Sequence, residues 1–485
     1  MASEYQLLIG GERVDGASGT YDIVNPATET VVGQAPEASV EQARQATDAA
    51  AEAFGAWSRT KPEHRAELLN KAGDILRERI DELIPLVQAE TGATMRVAST
   101  MQVPTCVERM RRYAKGAVEP RETALAPSEM PTTALAPGGL IGAVAVRQPV
   151  GVVACITPYN FPIVNMAGKI GPALAMGNTV VVKPAPQDPL AVLRFGEVLD
   201  QAGFPPGVVN IVVGSGAGVG EAIVASPSVD MISFTGSTVV GQRIGEVAGR
   251  GMKRQLMELG GKGAGVVFDD ANLKVAIGTI TSAWAFHSGQ ICTAPTRVIV
   301  QRGVYDQVVA RLGAAAVRFK VGDPLESDTV LGPVISAVQR DRIEALVQSG
   351  IEEGGELVAG GARPDMAAGF YVAPTLIAAC KQGMRAVQEE FFGPVVVVLP
   401  FDDEDEAIAL ANSTEFGLYD YVFTGDSARG MRVARQLRSG NVGINTAQRN
   451  HEAPFGGFKQ SGVGRDGGTY GLHAYSELQS IIWPG

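Results

Sequence analysis

Short alternating apolar runs open the chain from Leu7 to Val32, broken at Gly10-Gly11 and Asn25-Pro26, and they predict short strands. Helical spacing takes over in the Ala-rich stretch from Ser39 to Trp57, then from Pro62 to Thr91, which is expected to form one longer amphipathic helix. Pro127 to Val146, rich in proline and glycine, has the extended character of a hairpin leaving the main body, either a surface loop or an arm for subunit contact. After Pro149 the rhythm becomes strand, helix, strand. Apolar strands are predicted at Gly151–Ile156, Thr179–Pro184, Val209–Val213 and Met231–Phe234, with helices near Ile163–Ala175 and Leu190–Gln201 between them. Such alternation implies a parallel sheet covered on both faces, with ligands at the carboxyl ends of its strands. A second α/β region starts at Ala271. It has a helix to Phe286, a strand near Arg297–Val300, helices near Val304–Phe319 and Ser336–Ser349, and strands near Tyr371–Ile377 and Val395–Phe401. The tail, Leu478 to Trp483, reads as a last strand, and no internal repeat is seen.

Composition narrows this picture. A length of 485 residues is too great for one small core and predicts two or three domains, and 45% hydrophobic with 19% charged residues describes an ordinary globular protein. The 59 glycines show no collagen period and gather at strand ends and turns. A net charge of −11 disfavours nucleic acid and anionic membrane surfaces as partners. The acidic run Asp402–Glu406 precedes Ala407-Ile408-Ala409-Leu410 and suits a helix N-terminus; it lacks the spacing of a calcium loop. The four cysteines, Cys106, Cys155, Cys292 and Cys380, form no C-x-x-C pair, and the four histidines have no zinc spacing, so no metal is expected. With no basic leader and no apolar run of spanning length, the expected location is the reduced cytoplasm.

Candidate chemistry starts at Gly289-Gln290-Ile291-Cys292-Thr293-Ala294, where a cysteine sits among small neighbours that leave it approachable. A lone free cysteine is usually a small buried hydrophobe, so the case depends on other segments. These are a carboxylate in Met257-Glu258-Leu259-Gly260-Gly261-Lys262, an amide in Pro158-Tyr159-Asn160-Phe161-Pro162, and a glycine turn at Phe234-Thr235-Gly236-Ser237-Thr238. Gly214–Gly220 fails the strict dinucleotide fingerprint because Val219 replaces the last required glycine, and Gly236–Gly241 lacks the lysine of a P-loop. Either turn could present backbone N–H groups to a pyrophosphate, or serve as a plain helix cap. There is no G-x-S-x-G and no H-E-x-x-H.

Taken in order, Pro-Tyr-Asn160-Phe-Pro, Lys183-Pro184, Phe234–Thr238, Glu258–Lys262 and Gly289–Cys292 form a series that continues with Glu389-Glu390-Phe391-Phe392-Gly393-Pro394 and Pro454–Lys459. Over essentially its full length the chain resembles the NAD(P)-dependent aldehyde dehydrogenase superfamily. The resemblance implies an α/β fold with a parallel-sheet cofactor-binding domain (1–126 and 147–257), an α/β catalytic domain (258–465) and a small β oligomerisation arm (127–146 and 466–485). It makes Cys292 the nucleophile and Glu258 the base that activates the hydrolytic water. Asn160 and the Cys292 N–H would form the oxyanion site, and Lys169 would help relay protons, unless it is a solvated helix lysine.

For the cofactor it implies Lys183 on the adenosine ribose, Ser237 near the pyrophosphate, and Glu390 on the nicotinamide ribose with Phe392 beside it. Ile156, Thr157, Pro158, Tyr159, Gly216, Gly220, Phe234, Thr235, Gly236, Val240, Leu259 and Gly260 would line the cleft. Read alone, Glu390 is a surface carboxylate. Pro186 stands where relatives that prefer NAD often carry glutamate, so NAD is favoured without excluding NADP; Tyr159 replaces a common tryptophan. Phe161, Phe286 and Phe455 would line the substrate tunnel, and Gly168, where a bulky aromatic is frequent, hints at room for an aromatic or branched aldehyde. Arg449, in Arg449-Asn450-His451-Glu452, could hold the carboxylate of a semialdehyde, but a polar loop is the preferred reading. A homodimer or homotetramer is expected. Rival readings are a CoA-acylating semialdehyde dehydrogenase, disfavoured because Glu258 is retained, and a catalytically idle nucleotide-binding protein of the same fold.

Overall fold

The computed structural model describes residues 4–484. Its first sheet has eight strands, and the five in its middle, Arg254–Glu258, Met231–Thr235, Val152–Ile156, Thr179–Lys183 and Val209–Ile211, run parallel in that spatial order. Val152–Ile156 and Thr179–Lys183 are buried at every position, which is why they read as unbroken apolar runs. Both edges are closed by antiparallel strands from far away in sequence. Leu7–Ile9 and Glu12–Val14 extend one edge, and Gly462–Val463 pairs with Arg254–Glu258 on the other.

The second sheet has seven strands and centres on Arg297–Gln301, flanked by Ala264–Val267 and Val395–Phe401. Tyr419–Phe423 and Asn441–Ile444 continue it in parallel, while Glu356–Ala359 is an antiparallel edge. The strand expected at Tyr371–Ile377 shrinks to Thr375–Ala378, because Pro374 has no N–H to give to a ladder. The acidic run caps a helix as expected: Asp403 accepts from the Glu406 N–H at the start of Glu404–Asn412.

Three helical expectations change. The stretch from Pro62 to Thr91 is two helices, Pro62–Glu78 and Ile80–Thr91, broken at Arg79, whose guanidinium is held by Glu82 and Glu197. An unexpected helical segment occupies residues 95–117: Met95–Val97, a π turn at Ala98–Gln102, and Val103–Ala117. The helix expected to run to Phe286 stops at Ala285, and His287, Ser288 and Gly289 follow with φ of 48°, 54° and 72°.

A third sheet stands apart from the body. Glu122–Met130 and Gly139–Pro149 form a hairpin, and Ser476–Pro484 pairs with its second strand from Ser476 opposite Pro149 to Pro484 opposite Ile141. Residues 466–474, expected in this arm, instead carry the helix Gly468–Ala474, and Leu472 and Tyr475 pack into the core of the first sheet. Among the described residues no helix is long and apolar enough to cross a membrane, and no cluster of His, Cys, Asp or Glu could hold a metal ion.

Candidate active site

Carboxyl ends of the first sheet and the turn before Cys292 meet at one place. Asn160 lies just beyond Val152–Ile156, is buried, and donates from Nδ2 to the Gln290 carbonyl at 2.9 Å. Its own carbonyl accepts from Gln102 Nε2 at 3.0 Å, so the π turn anchors it from the other side. Gln290 is fixed in turn, since its Oε1 accepts from the Ile335 N–H at 3.0 Å. A Cβ at Gly289 would lie 2.2 Å from the Gly393 carbonyl, and one at Gly261 would lie 2.4 Å from that of Cys292. Only glycine lets the Glu258–Lys262 segment and the Glu389–Pro394 segment come this close to the cysteine turn.

Cys292 is half-buried, and burial pushes its thiol up to about 12. Arg449 pulls against that shift, while Glu390 and Glu258 add to it. Glu258 ends the strand Arg254–Glu258 and is buried; neither carboxylate oxygen has a hydrogen-bond partner among the described residues. Burial, reinforced by Asp466, holds this carboxyl well above the usual carboxylate range. Lys169 is not a solvated helix lysine. It is buried, donates from Nζ to Ser233 Oγ at 3.2 Å, and has its pKa lowered by desolvation. Ser233 Oγ lies 2.8 Å from the Tyr475 hydroxyl, which extends the polar chain into the core.

Cofactor candidates line the same strand ends. Lys183 is buried and donates from Nζ to the carbonyls of Pro184 at 3.1 Å and Gly214 at 3.3 Å; burial lowers its pKa to about 8. No carboxylate reaches it from position 186, which is proline, but Glu37 accepts from the Ser215 N–H at 2.9 Å. Glu37, Ser39, Val40, Gly216 and Val219 line a cavity of about 220 Å³. Gly216 heads the helix Ala217–Ala225 with open space where a Cβ would stand, and Gly220 lies against the Lys183 stem. Ser237 caps Thr238–Arg250 through the Val240 N–H, as the plain-cap reading expected, and Val240 stays exposed.

A Cβ at Gly236 would enter the Phe234 ring, so the turn after Thr235 requires glycine. Leu259 packs on Gly241, while Gly260 and Gly261 lie against Glu390, whose Oε1 accepts from the Gly261 N–H at 2.8 Å. Glu390 is therefore no surface carboxylate, and burial raises its pKa. Phe392 meets Tyr159 edge-on at 5.8 Å. Ile156 and Thr157 are buried, Pro158 lies between Thr157 and Tyr159, and Thr157 Oγ1 has no partner among the described residues. A buried hydroxyl awaiting a partner, a lysine held only by carbonyls and an open glycine at a helix start suit a dinucleotide.

Around the cysteine, Phe161 and Phe286 stack at 6.0 Å, and Phe455 lies under the Arg449 guanidinium at 4.7 Å. The room expected beside Gly168 is filled: a Cβ there would lie 2.1 Å from Arg109 Nη1. Sequence reasoning missed Arg109, Gln102, Gln290, Ser233 and Tyr475. The one available signal was a glycine in the middle of a helix, which marks close approach by another group.

An aldehyde dehydrogenase family model matches residues 14–481. A betaine aldehyde dehydrogenase of Bacillus subtilis is 37% identical over 482 residues, covering 98% of this chain and 96% of that protein. A 3-succinoylsemialdehyde-pyridine dehydrogenase of a Pseudomonas species is 37% identical over 464 residues, covering 95% and 94%. Among solved structures, a betaine aldehyde dehydrogenase of Staphylococcus aureus in complex with NAD+ superposes with a TM-score of 0.94 at 35% identity, over 99% of this chain and 95% of that one.

Proposed function

The chain belongs to the aldehyde dehydrogenase family, an NAD(P)-dependent oxidoreductase acting on aldehydes, and from that premise we propose how its residues divide the work. Cys292 Sγ attacks the aldehyde carbon, and the oxygen that gains charge is held by the Cys292 N–H and the Asn160 amide. Asn160 suits this because Gln290 ties down one of its two N–H bonds, which fixes the amide and leaves the other to donate. A bound dinucleotide supplies the acceptor for the hydride that leaves the hemithioacetal, turning it into a thioester on Cys292. Glu258 then takes a proton from the water that attacks the thioester and releases the carboxylic acid. Lys169, with Ser233 behind it, helps move that proton.

The observation that carries this reading is the buried Glu258 carboxylate with no hydrogen-bond partner among the described residues, beside a cysteine whose thiol it influences. A base whose pKa burial raises against the pull of Lys169, Arg465 and Arg449 is suited to take a proton from water near neutral pH. It also favours hydrolysis over acyl transfer to coenzyme A, which needs no such base, and it gives an idle protein no reason to retain the pair. The cofactor roles follow the same logic. Lys183 holds the adenosine ribose and Ser237 stands by the pyrophosphate. Glu390 and Phe392 hold the nicotinamide ribose, and Ile156, Thr157, Pro158, Tyr159, Gly216, Gly220, Phe234–Gly236, Val240, Leu259 and Gly260 wall the cleft. NAD is the favoured cofactor, with NADP admitted because Pro186 presents no carboxylate against a 2′-phosphate.

We further infer two working domains built on the two large sheets, and a homodimer or homotetramer joined through the three-stranded arm. A cytoplasmic setting fits the four free cysteines. The first test is NAD(P)H formation with a panel of aldehydes and both cofactors. Cys292→Ala should abolish turnover. Glu258→Gln should keep a single-turnover burst of NAD(P)H and stall afterwards; no burst would count against the division of labour.

A further inference from the structure

Two arginines without acidic partners among the described residues lie on segments that run to the site. Arg109 lies along the stripe of the Pro162–Met176 helix marked by Phe161, Val164 and Gly168, which leads away from Asn160. Its Nη1 donates to the Val164 carbonyl at 3.0 Å and fills the space a side chain at 168 would take. Arg449 comes from the loop after Asn441–Ile444. Its Nη2 donates to Thr293 Oγ1 at 2.7 Å, one residue beyond the nucleophile, and its guanidinium lies over the rings of Phe455 and Tyr419.

A third arginine joins the two segments. Arg112, one helical turn from Arg109, holds Glu452, three residues beyond Arg449, at 2.6 Å, and also bonds Glu119 at 2.9 Å. Arg112 is thus neutralised by two carboxylates. Neither Arg109 nor Arg449 has an ion-pair partner among the described residues, and the acid nearest to them in the loop, Glu452, is already engaged. Glu258, one of the carboxylates of the site with Glu390 and Asp466, sits in a setting that favours its neutral form. A chain with a net charge of −11 therefore keeps two arginines without ion-pair partners on segments that Arg112 and Glu452 join, and Arg449 is bonded one residue from the nucleophile.

We infer that Arg109 and Arg449 read a second, anionic group on the substrate, which is an aldehyde bearing a carboxylate. The inference rests on the proposed aldehyde oxidation. A guanidinium fork matches a carboxylate in shape and donor spacing, and its free N–H groups are those an incoming carboxylate needs. Phe455 and Tyr419 fix the Arg449 plane, and Thr293 spends only one of its donors. The aromatic pair Phe161 and Phe286 packs the carbon chain between the two ends. The same charges repel a quaternary ammonium aldehyde, so this chain should handle betaine aldehyde poorly.

The test compares aldehydes of equal length with and without the acid, succinic semialdehyde against butanal, with betaine aldehyde as the cationic arm and a phosphonate-bearing aldehyde as a second anion. A kcat/KM preference for succinic semialdehyde over butanal on the order of tenfold or more is expected. Arg109→Met and Arg449→Met should each shrink that preference, and Arg449→Glu should move it toward betaine aldehyde. Calorimetry on the wild-type enzyme with NAD bound, using succinate against butyrate, reads the same preference without turnover. Equal rates and equal binding of the matched pair would overturn the inference while leaving aldehyde oxidation in place. A shared loss in the Arg449 variant for both aldehydes, with the ratio kept, would assign Arg449 to the thiol and also overturn it. Preference for the phosphonate over the carboxylate would overturn the carboxylate assignment. Succinate binding without oxidation of any aldehyde would overturn the proposed function and leave the anion site standing.

Discussion

A thiol that attacks an aldehyde must first lose its proton, and around Cys292 almost everything opposes that. Burial, Glu390 and Glu258 all push the thiol up, while Arg449 and the Cys292 N–H pull it down. Glu258 is displaced in the same direction, well above the ordinary carboxylate range. A base with a raised pKa holds its proton at a pH where an exposed glutamate has lost it, so thioester hydrolysis should fall off on the acid side sooner than an ordinary carboxylate would dictate. Steady-state rates measured against pH should show this acid limb above the usual glutamate range, and Glu258→Gln should remove it from the residual hydrolysis. A limb at the value of an exposed glutamate would contradict the burial argument. Cys292, Glu258 and Asn160 stood out because their motifs occur in the order that carries the family resemblance, and the structure brings the segments around them together. Lys169 was not settled by sequence, because a lysine on a helix looks the same whether it faces Ser233 or water. Arg109 was invisible for a related reason: its meaning depends on Gly168, far along the chain, having no side chain.

The cysteine turn shows how much an element can matter beyond its residues. His287 and Ser288 take left-handed φ without being glycine, and Gly289 completes three such residues in a row. Conformations of this kind cost on the order of 1–3 kcal/mol each for residues other than glycine and survive only where packing fixes them. Here Gln290, bonded to Asn160 and Ile335, holds the turn's exit, and the Glu389–Pro394 segment presses on Gly289. Gly289→Ala should therefore lower the melting temperature and cut kcat together, because its Cβ would meet the Gly393 carbonyl and push Cys292 away from Asn160. Retention of both would mean the loop yields without moving the nucleophile. Periodicity located most helices but missed Val103–Ala117, although Val103, Cys106, Val107, Met110 and Tyr113 mark its buried face. Its start is a π turn, which shifts the stripe out of step with a regular helix, and Pro104 in the first turn reads as a breaker.

At the scale of the whole molecule, strand–helix alternation gave the parallel cores, while the antiparallel edges stayed hidden because they pair strands such as Leu8 and Ile211 across most of a domain. One consequence of that long-range packing is a buried acid between helices. Glu90, at the end of Ile80–Thr91, accepts N–H bonds at the start of Leu190–Ala202, yet burial raises it from 4.5 to about 8. Buried Asp188 is raised as well, by burial and by Glu90. A raised folded-state pKa means that unfolding releases a proton between the two values, so stability is full below about 4.5 and declines as pH rises toward about 8. Melting temperature should fall across that window, and Glu90→Gln should flatten the slope; a slope unchanged in the variant would place the linkage elsewhere.

The arm makes the last argument. Leu125, Met130, Leu140, Leu478, Ile481, Ile482 and Trp483 are all exposed on a three-stranded sheet that gains little from the body it leaves. In the proposed homodimer or homotetramer a second copy of the chain would cover this apolar sheet and bring the same residues in return. Ile482→Asp with Trp483→Asp should lower the mass measured by light scattering while the far-UV spectrum is kept. An unchanged mass would move the contact to another face.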